Sequence, residues 1–389
     1  MSISLYMALV GFGVMVGIPV ISTAWVNLLG FTEVEVGRVA GADLGGLALG
    51  AATASLFIAT VSRRALVLAA IAIAVTANSL CMVLLEYDQV LWLRLLAGFG
   101  SGIYTSVAVA TLGATAKPAR AFNLMLFGFA FSQALELHML PQLPMNGIYL
   151  VFIACYALTL PFLGWLPPRP VDKHQVVGAA INIDAGNDTS EEPGTVPAYA
   201  PWLVLGAIVA TYINIGAYWT YIELAAADRT ISTADGDWVG QVLVWSSFLS
   251  IVGCLFATIT SNRFGLARPL LVTLVTHSIV VGMLVGGINN VNILVSVFMF
   301  NFLWIFVDVY QMATVANIDY SGRFASLMPA AQGLGQLIGP NAAATVLAYG
   351  FGYRGIFILC ASATMTAMLL YATMYLRLLR RAPALANAS

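Results

Sequence analysis

Residues 91–102 read LWLRLLAGFGSG and place Arg94 inside a run that is apolar enough to lie in lipid. A charge at the bilayer centre costs about 3 kcal/mol on insertion scales, so such a residue usually faces a bundle interior or a wet cavity and has a partner. One helical face carries four residues spaced at i, i+4, i+7 and i+11, namely Arg94, Gly98, Ser101 and Thr105. This face predicts close helix packing around a buried guanidinium that needs a counter-charge.

The composition is that of a membrane protein. The chain has 389 residues, of which 60% are hydrophobic and 8% charged, whereas a soluble protein is about 25% charged. Its length suits about twelve spans of ~20 residues with short loops. The net charge of −1 and the lack of a basic block give no indication of nucleic-acid binding. The four cysteines lie in apolar runs without metal-ligand spacing, so we expect small core residues and neither a metal nor a cofactor.

Apolar runs separated by polar or Gly/Pro breaks predict twelve helices, with ends uncertain by several residues. The first six are predicted at about 3–25, 36–61, 65–86, 89–115, 121–143 and 147–166, and the last six at about 201–226, 238–260, 267–288, 291–317, 324–350 and 356–379. The first run lacks a basic start and an obvious cleavage site, so it is interpreted as an uncleaved span. The polar segment Pro167–Ala200 between the sixes is interpreted as a flexible linker.

The distribution of basic residues predicts the orientation. With both termini in the cytoplasm, the inner segments hold twelve of the 16 Lys and Arg residues, and the outer loops hold Arg38, Arg229 and Arg354. Arg94 is the remaining cation. This asymmetry agrees with the positive-inside rule and predicts a multi-pass protein of the cytoplasmic (inner) membrane.

The two sets of six runs also resemble each other. One offset of 203 residues aligns Arg120 with Arg323, Leu124-Met125 with Leu327-Met328, and Ser132-Gln133 with Gly335-Gln336. Together with the central linker, this predicts an all-α membrane protein with twelve transmembrane helices in two pseudo-symmetric six-helix halves. The predicted parts are a bundle at 1–166, a cytoplasmic linker at 167–200, and a bundle at 201–389 that ends in a short tail. Repeats of this kind often enclose a substrate site near the bilayer midplane.

Three local motifs carry a resemblance to the major facilitator superfamily. The loop Asn262–Arg268 reads NRFGLAR and resembles the family's basic loop motif, with asparagine where an acid is usual. Its sister loop keeps only Ser62-Arg63-Arg64. The run Arg94–Gly100 is similar to the Arg-x-x-x-Gly-x-Gly motif of the fourth helix. Gly335-x-x-x-Gly339-Pro340 resembles a motif that proton antiporters carry in the fifth helix.

The resemblance covers essentially the whole chain and implies a secondary transporter that works by alternating access. The fifth span departs from the antiporter pattern, because it has Ser132-x-x-x-Glu136 in place of the glycine-proline motif. The reduced first loop leaves open any gating role that the family assigns to it. The motifs are specific for the superfamily and say little about the substrate.

Asp43, Arg94 and Glu136 are expected at similar depth, roughly 8–11 Å from the outer ends of their spans at ~1.5 Å per residue. One hypothesis is a static ion pair that holds the second, fourth and fifth helices together. The other is that one carboxylate pairs with Arg94 while the second carries a proton, and that substrate competes for Arg94.

The second set of spans offers further candidates. Asp308 on the tenth span has Asn301 on the same face, and it is either a proton or cation site or a partner of Arg323. On the seventh span, Asn214, Tyr218 and Tyr221 share a face that could line a cavity or pack at the membrane interface. Glu223 is expected to be solvated at the outer rim, and His277 to pack in the core.

Amides are the remaining candidates. Gln332 and Gln336 share a face of the eleventh span, and Gln133 has the equivalent place in the fifth. The expected substrate-binding residues are Arg94, Gln133, Gln336, Tyr218, Asn214 and Asn301. The expected proton-coupling residues are Glu136, Asp308 and Asp43.

The leading hypothesis is a monomeric, proton-coupled transporter for a small organic anion or zwitterion with an apolar body. Membrane acids outnumber membrane arginines, which favours proton coupling, although sodium is also open. A proton-driven efflux antiporter for amphipathic or cationic drugs is the alternative, and a transport-inactive receptor is a remote one. An intramembrane serine protease is rejected, because Phe99 occupies a glycine position of the protease pattern Gly-x-Ser-Gly around Ser101.

Overall fold

The computed structural model describes residues 1–58, 60–115, 118–167, 199–264, 267–318 and 323–381. The helices are α1 (Ser2–Gly11), α2 (Gly13–Leu29), α3 (Glu33–Phe57), α4 (Arg63–Cys81), α5 (Tyr87–Gly113), α6 (Pro118–Met139), α7 (Met145–Ala157), α8 (Ala200–Ala227), α9 (Gly236–Ser246), α10 (Leu249–Phe264), α11 (Ala267–Gly282), α12 (Asn290–Ile318), α13 (Arg323–Ala348) and α14 (Gly352–Arg381). Short 3-10 helices follow α6, α7 and α11, at Leu140–Gln142, Leu160–Trp165 and Met283–Gly286. Within the described ranges, β structure is limited to an isolated bridge between Ser232 and Ile288.

Eleven helical segments in the described ranges are long and apolar enough to cross a membrane. The 26-residue helix α13 is not one of them, because two interior prolines and several amides lower its hydropathy. The all-helical membrane fold is therefore as predicted. The count of twelve spans and the arrangement in two halves stay predictions. Most of the expected linker, residues 168–198, lies outside the described ranges.

Two predicted spans are interrupted in the structure. The first is divided at Phe12 into α1 and α2, and the eighth is divided between Ser246 and Leu249 into α9 and α10. At the first break, the hydroxyl of Ser101 donates a hydrogen bond of 2.5 Å to the carbonyl of Gly11. The hydroxyl of Tyr156 in turn donates to Ser101 at 2.9 Å. The Ser101 hydroxyl thus gives the Gly11 carbonyl a hydrogen-bond partner in an apolar interior, and Tyr156 holds the Ser101 hydroxyl in place.

Glycines bring α3 and α5 into backbone contact. A Cβ atom built on Gly102 would lie 2.0 Å from the carbonyl oxygen of Leu47, and one on Gly50 would lie 2.0 Å from that of Phe99. Such distances leave no room for a side chain. Small residues allow membrane helices to approach closely, which is how these apolar surfaces gain packing energy in lipid. Gly98, the glycine predicted to share a face with Arg94, makes the same kind of contact with the carbonyl oxygen of Asp43, so these glycines together set the distance between α3 and α5.

Replacing Gly102 by alanine should destabilise the protein, because the new methyl group would overlap backbone atoms that cannot move away. We expect a cost of about 1–3 kcal/mol, measured as a lower thermal midpoint in detergent. Gly206→Ala is the matched control, since its Cβ would meet only the Cδ1 atom of Leu370, at 3.6 Å. Equal thermal midpoints for the two variants would contradict this packing.

For description, α1–α7 are the N-terminal helices and α8–α14 the C-terminal helices. The Gly30 end is the end of the bundle at which α2 meets α3, and the Ser62 end is where α3 meets α4. The two groups of helices meet mainly where α3 packs on α13 and α2 packs on α8. We call this contact the seam. The Gly30 end corresponds to the outer side in the orientation predicted from the sequence.

The seam is closed from the Gly30 end to about the middle of α3. Arg38 donates hydrogen bonds to the Asn341 carbonyl at 3.1 Å and to the Thr345 hydroxyl at 2.9 Å. Tyr221 donates to the Glu33 carbonyl at 2.8 Å. Further along, Leu56 near the Ser62 end is 75% exposed. The structure is thus closed at the Gly30 end, while the far end of α3 is uncovered.

Candidate functional site

Arg94 forms a buried ion pair with Asp43. Its Nε atom donates to Asp43 Oδ2 at 2.8 Å, and its Nη2 atom donates to the same oxygen. Its Nη1 atom donates to Asn78 Oδ1 at 2.8 Å, and its Cζ atom lies 5.8 Å from the centre of the Tyr149 ring. Arg94 is 1% exposed. The predicted counter-charge on a neighbouring span is therefore found in Asp43.

The partners of Arg94 are themselves held in place. Asn78 donates its amide to the Ala74 carbonyl at 2.7 Å, and the Tyr149 hydroxyl accepts a hydrogen bond of 3.2 Å from Trp25 Nε1. Asn78 was not predicted as a partner of Arg94, although an amide in the middle of the third predicted span was a visible signal. In this conformation the guanidinium is enclosed and has no exposed surface to offer a substrate.

Glu136 lies away from Arg94, so the prediction that it joins Asp43 and Arg94 in one cluster is wrong. The Glu136 carboxyl packs against α2: its Oε1 atom is 3.3 Å from a Cβ built on Gly13, and its Oε2 atom is 2.8 Å from one built on Gly17. This face of α6 turns toward α2, whereas α5 packs mainly on α3 and α4. The Oε2 atom is buried without a hydrogen-bond partner.

Two glutamines accompany Glu136, one on the same helix and the other in contact with the same part of α2. Gln133 precedes Glu136 by one helical turn, is 5% exposed, and has an Nε2 atom without a partner. Gln336 on α13 donates to the Met15 sulfur at 3.0 Å. Met15 lies between the two glycines that contact Glu136. Residues 13–17 of α2 therefore separate an unpaired acid on an N-terminal helix from an amide on a C-terminal helix. We call Gln133, Glu136 and Gln336 the central site.

Asp308 lies beyond the central site, toward the Ser62 end. The Tyr212 hydroxyl donates to its Oδ1 atom at 2.8 Å, and Trp304 and Gln332 lie beside Tyr212. Gln332 is one turn from Gln336 on α13, so it links Asp308 to the central site. The alternative partner Arg323 has a side chain outside the described residues. In the described ranges, no basic side chain pairs with Asp308.

Three expected binding residues are buried among the C-terminal helices instead. Asn214 hydrogen bonds to the His277 ring at 3.2 Å, and the Tyr218 hydroxyl to Ser296 at 2.8 Å. Asn301 donates to the Ser246 hydroxyl at 3.0 Å. Spacing along a helix correctly placed Asn214 and Tyr218 on a common face, but that face packs on α11 and α12. These bonds give all three a packing role in this structure. The core position predicted for His277 agrees with its burial.

Glu223 was expected at a solvated rim and is found inside the seam. It is partly buried beside Thr23 of α2, and its Oε2 atom has no hydrogen-bond partner. Trp219, one turn earlier on α8, donates to the Val16 carbonyl at 3.2 Å. The available signal was the spacing of Trp219 and Glu223, which puts both on the face that contacts α2.

Among the described residues, three acids of the interior have no ion-pair partner. Across the described ranges there is one ion pair, between Arg94 and Asp43. Glu136, Glu223 and Asp308 have no basic partner there. The same ranges contain no group of three His, Cys, Asp or Glu residues placed to hold a metal ion. The arrangement can exchange protons at carboxyl groups and can offer amide and carboxyl hydrogen bonds to a solute between the two groups of helices.

Comparison with known proteins gives the fold. No family model and no curated protein sequence matches the chain. Among solved structures, the nucleoside transporter NupG aligns with a TM-score of 0.70 and 12% identity over 96% of this chain and 99% of that one. A point mutant of NupG gives a TM-score of 0.73 and 11% identity, over 96% and 98% of the two chains. The POT family transporter PepTSo gives 0.72 and 12%, over 96% and 97%. At this identity the likeness shows the fold alone, and the chain has the fold of these solved transporters.

Proposed function

We propose that the protein is a proton-coupled secondary transporter that moves a small organic solute by alternating access. The observation that carries this proposal is Glu136, a carboxyl with one oxygen buried and unpartnered where α6 meets α2. An ionised carboxylate in such a place is costly, so the packed arrangement favours a bound proton. When the helices part and water reaches Glu136, the proton can leave. Proton binding and helix movement are thereby linked.

We propose that Arg94 and Asp43 have a structural role. All three nitrogens of the guanidinium donate within the cluster, and Asp43 Oδ2 accepts two of these bonds. Their charges cancel where α3, α4 and α5 meet. The earlier expectation that substrate competes for Arg94 would require this cluster to break, which costs about 3–5 kcal/mol when one partner is removed. Binding is assigned instead to Gln133, Gln336 and Asp308, and proton exchange to Glu136.

The substrate follows from this charge distribution. With Arg94 paired to Asp43, no cation contacts Glu136, Gln336 or Asp308 in the described ranges. Arg38 is bonded to Asn341 and Thr345 in the closed seam, and Arg63 to Thr111 near the Ser62 end. We therefore propose a solute without net negative charge that has hydrogen-bond donors and an apolar or planar body. NupG is a nucleoside transporter, which supports a solute of this kind. The antiport of cationic drugs is the second candidate, favoured by Trp304 and Tyr212 beside Asp308.

The first test is transport by purified protein. Thermal-shift screening against metabolite and drug panels should identify stabilising solutes, because a ligand that binds only the folded state raises its stability. Counterflow in liposomes with each hit should then show solute exchange, and a pH gradient should drive accumulation. Absence of solute movement for every hit, with and without the gradient, would refute the transport proposal. Accumulation that follows a sodium gradient and ignores pH would refute proton coupling.

A charge series tests the substrate class. For a hit and its close analogues, we expect neutral or cationic forms to bind at least about tenfold more tightly than an analogue carrying an added carboxylate. The physical reason is that the added carboxylate would lose its hydration beside two acids without a compensating cation. Binding constants from thermal-shift titrations measure the effect. Tighter binding of the carboxylate analogue, with loss of that preference in Arg94→Met, would restore Arg94 as a binding residue.

A further inference from the structure

Glu223 occupies an unusual place, because it is an acid inside the seam at the end that is closed. The turn before it is tied to α2 by the bond from Trp219 to the Val16 carbonyl. Tyr221, two residues before it, is tied to α3 through the Glu33 carbonyl. Both bonds join α8 to N-terminal helices. The Glu223 carboxyl is therefore positioned where the two groups of helices must separate if the Gly30 end is to open.

The polar side chain beside Glu223 is that of Thr23, whose hydroxyl can donate to the carboxyl or to the Pro19 carbonyl, which lies 3.2 Å away. A single neutral hydroxyl brings no positive charge to balance an ionised carboxylate. The buried and unpartnered Oε2 atom adds a desolvation cost to the ionised form.

No charge from the surrounding helices compensates an ionised Glu223. Between Gly13 and Leu29, α2 has no titratable side chain, and α13 has none between Gln336 and Ala348. At the Gly30 end, the other helices that pack on α8 carry the titratable side chains Glu33, Glu35, Arg38, Asp237, Tyr353 and Arg354. The titratable side chains of α8 near Glu223, and just after the helix, are Tyr218, Tyr221, Asp228 and Arg229. None of these groups pairs or hydrogen bonds with Glu223 in the described ranges. The nearest cation on α3, Arg38, is bonded to Asn341 and Thr345.

We propose that Glu223 is a protonation-dependent latch of the seam, which holds the Gly30 end closed when its proton is bound and opens it when the proton is lost. This role goes beyond the proton-coupling role proposed for Glu136, since the two acids lie at different places along α2. The sign follows from linkage: the closed seam binds the proton more tightly, so low pH favours closure and high pH favours opening. Opening then exposes the central site at the Gly30 end.

The test reports on the seam without depending on transport. Ala344 is buried, and its Cβ atom lies 2.9 Å from a Cβ built on Gly37 across the contact of α3 with α13. In the full chain with its four native cysteines replaced by alanine, Ala344→Cys is labelled with a membrane-impermeant maleimide in liposomes between pH 6 and pH 9. Rates are corrected for the reactivity of a small thiol over the same range. We expect the corrected rate to rise at least about fivefold with pH.

Glu223→Gln should abolish this rise and hold the rate at its low-pH value, because the amide cannot lose a proton. Glu223→Asp keeps a titratable carboxyl and should keep a rise, and Asp237→Asn changes an exposed acid at the same end and should leave the rise unchanged. If Glu223→Gln does not fold, Glu223→Leu serves the same purpose. A rise that persists in the uncharged variant, or a pH-independent rate in the parent, would overturn the latch. Either result would leave the transport proposal standing, since transport is measured separately.

Discussion

Arg94→Met is expected to lower the stability of the protein by about 3–5 kcal/mol, because it leaves the Asp43 carboxylate buried without its partner. Asp43→Leu should have a similar effect, since it leaves the enclosed guanidinium unpaired. Both losses should appear as lower thermal midpoints and reduced yields of monodisperse protein in detergent. The variant carrying both substitutions removes both charges and should recover much of the stability. It should also recover transport, because neither side chain binds the solute in this account.

The exposed Arg268 provides the control for this cycle. Arg268→Met should change stability by no more than about 0.5 kcal/mol, as expected for a surface position. A stable Arg94→Met protein that fails only in transport would contradict the structural role. A double variant that is stable but does not transport would also contradict the structural role, because transport would then require the guanidinium itself.

Glu136→Gln is expected to remove proton-driven accumulation while leaving solute exchange intact. A gradient of two pH units supplies about 2.7 kcal/mol per proton and can drive up to about 100-fold accumulation with one proton per solute. The glutamine side chain resembles the protonated carboxyl in size and hydrogen bonding but cannot release a proton. Accumulation should therefore fall to the equilibrium level, whereas counterflow should continue within about threefold of the parent.

The exposed Glu86 supplies a matched substitution, and Glu86→Gln should keep both activities. If Glu136→Gln still accumulates solute in response to the pH gradient, the proton is carried elsewhere, and Asp308 becomes the first position to examine. If the variant loses exchange as well as accumulation while remaining folded, Glu136 is needed for binding or helix movement and the separation proposed here fails.

Helical spacing and depth predicted the best-defined part of this interior. An arginine in an apolar run must find an acid, and Asp43 lies at matching depth on a neighbouring span, so their pairing could be expected from the sequence. The small residues of the same face also indicated close packing, which the contact of Gly98 with the Asp43 carbonyl confirms. These features are local or depend only on distance from a helix end. The spacing of residues along a helix and their distance from its end can both be counted directly in the sequence.

The direction in which a helical face points was not predictable in the same way. Glu136 contacts α2 and not Arg94, because the rotation of α6 is set by packing along its whole length. Tyr218 and Asn214 share a face as predicted, but this face turns into the C-terminal helices. Glu223 was misjudged because the seam extends almost to the helix ends. Contacts between distant helices depend on the assembled bundle and leave little trace in spacing.

The most direct test of the account measures solute-dependent proton movement in wild-type protein. Liposomes containing the protein and a trapped pH-sensitive dye are given a stabilising solute on one side, without an imposed pH gradient. Coupled transport predicts a change in internal pH that depends on the solute, saturates with its concentration and is absent in Glu136→Gln. Solute entry without any change in internal pH would contradict proton coupling through Glu136.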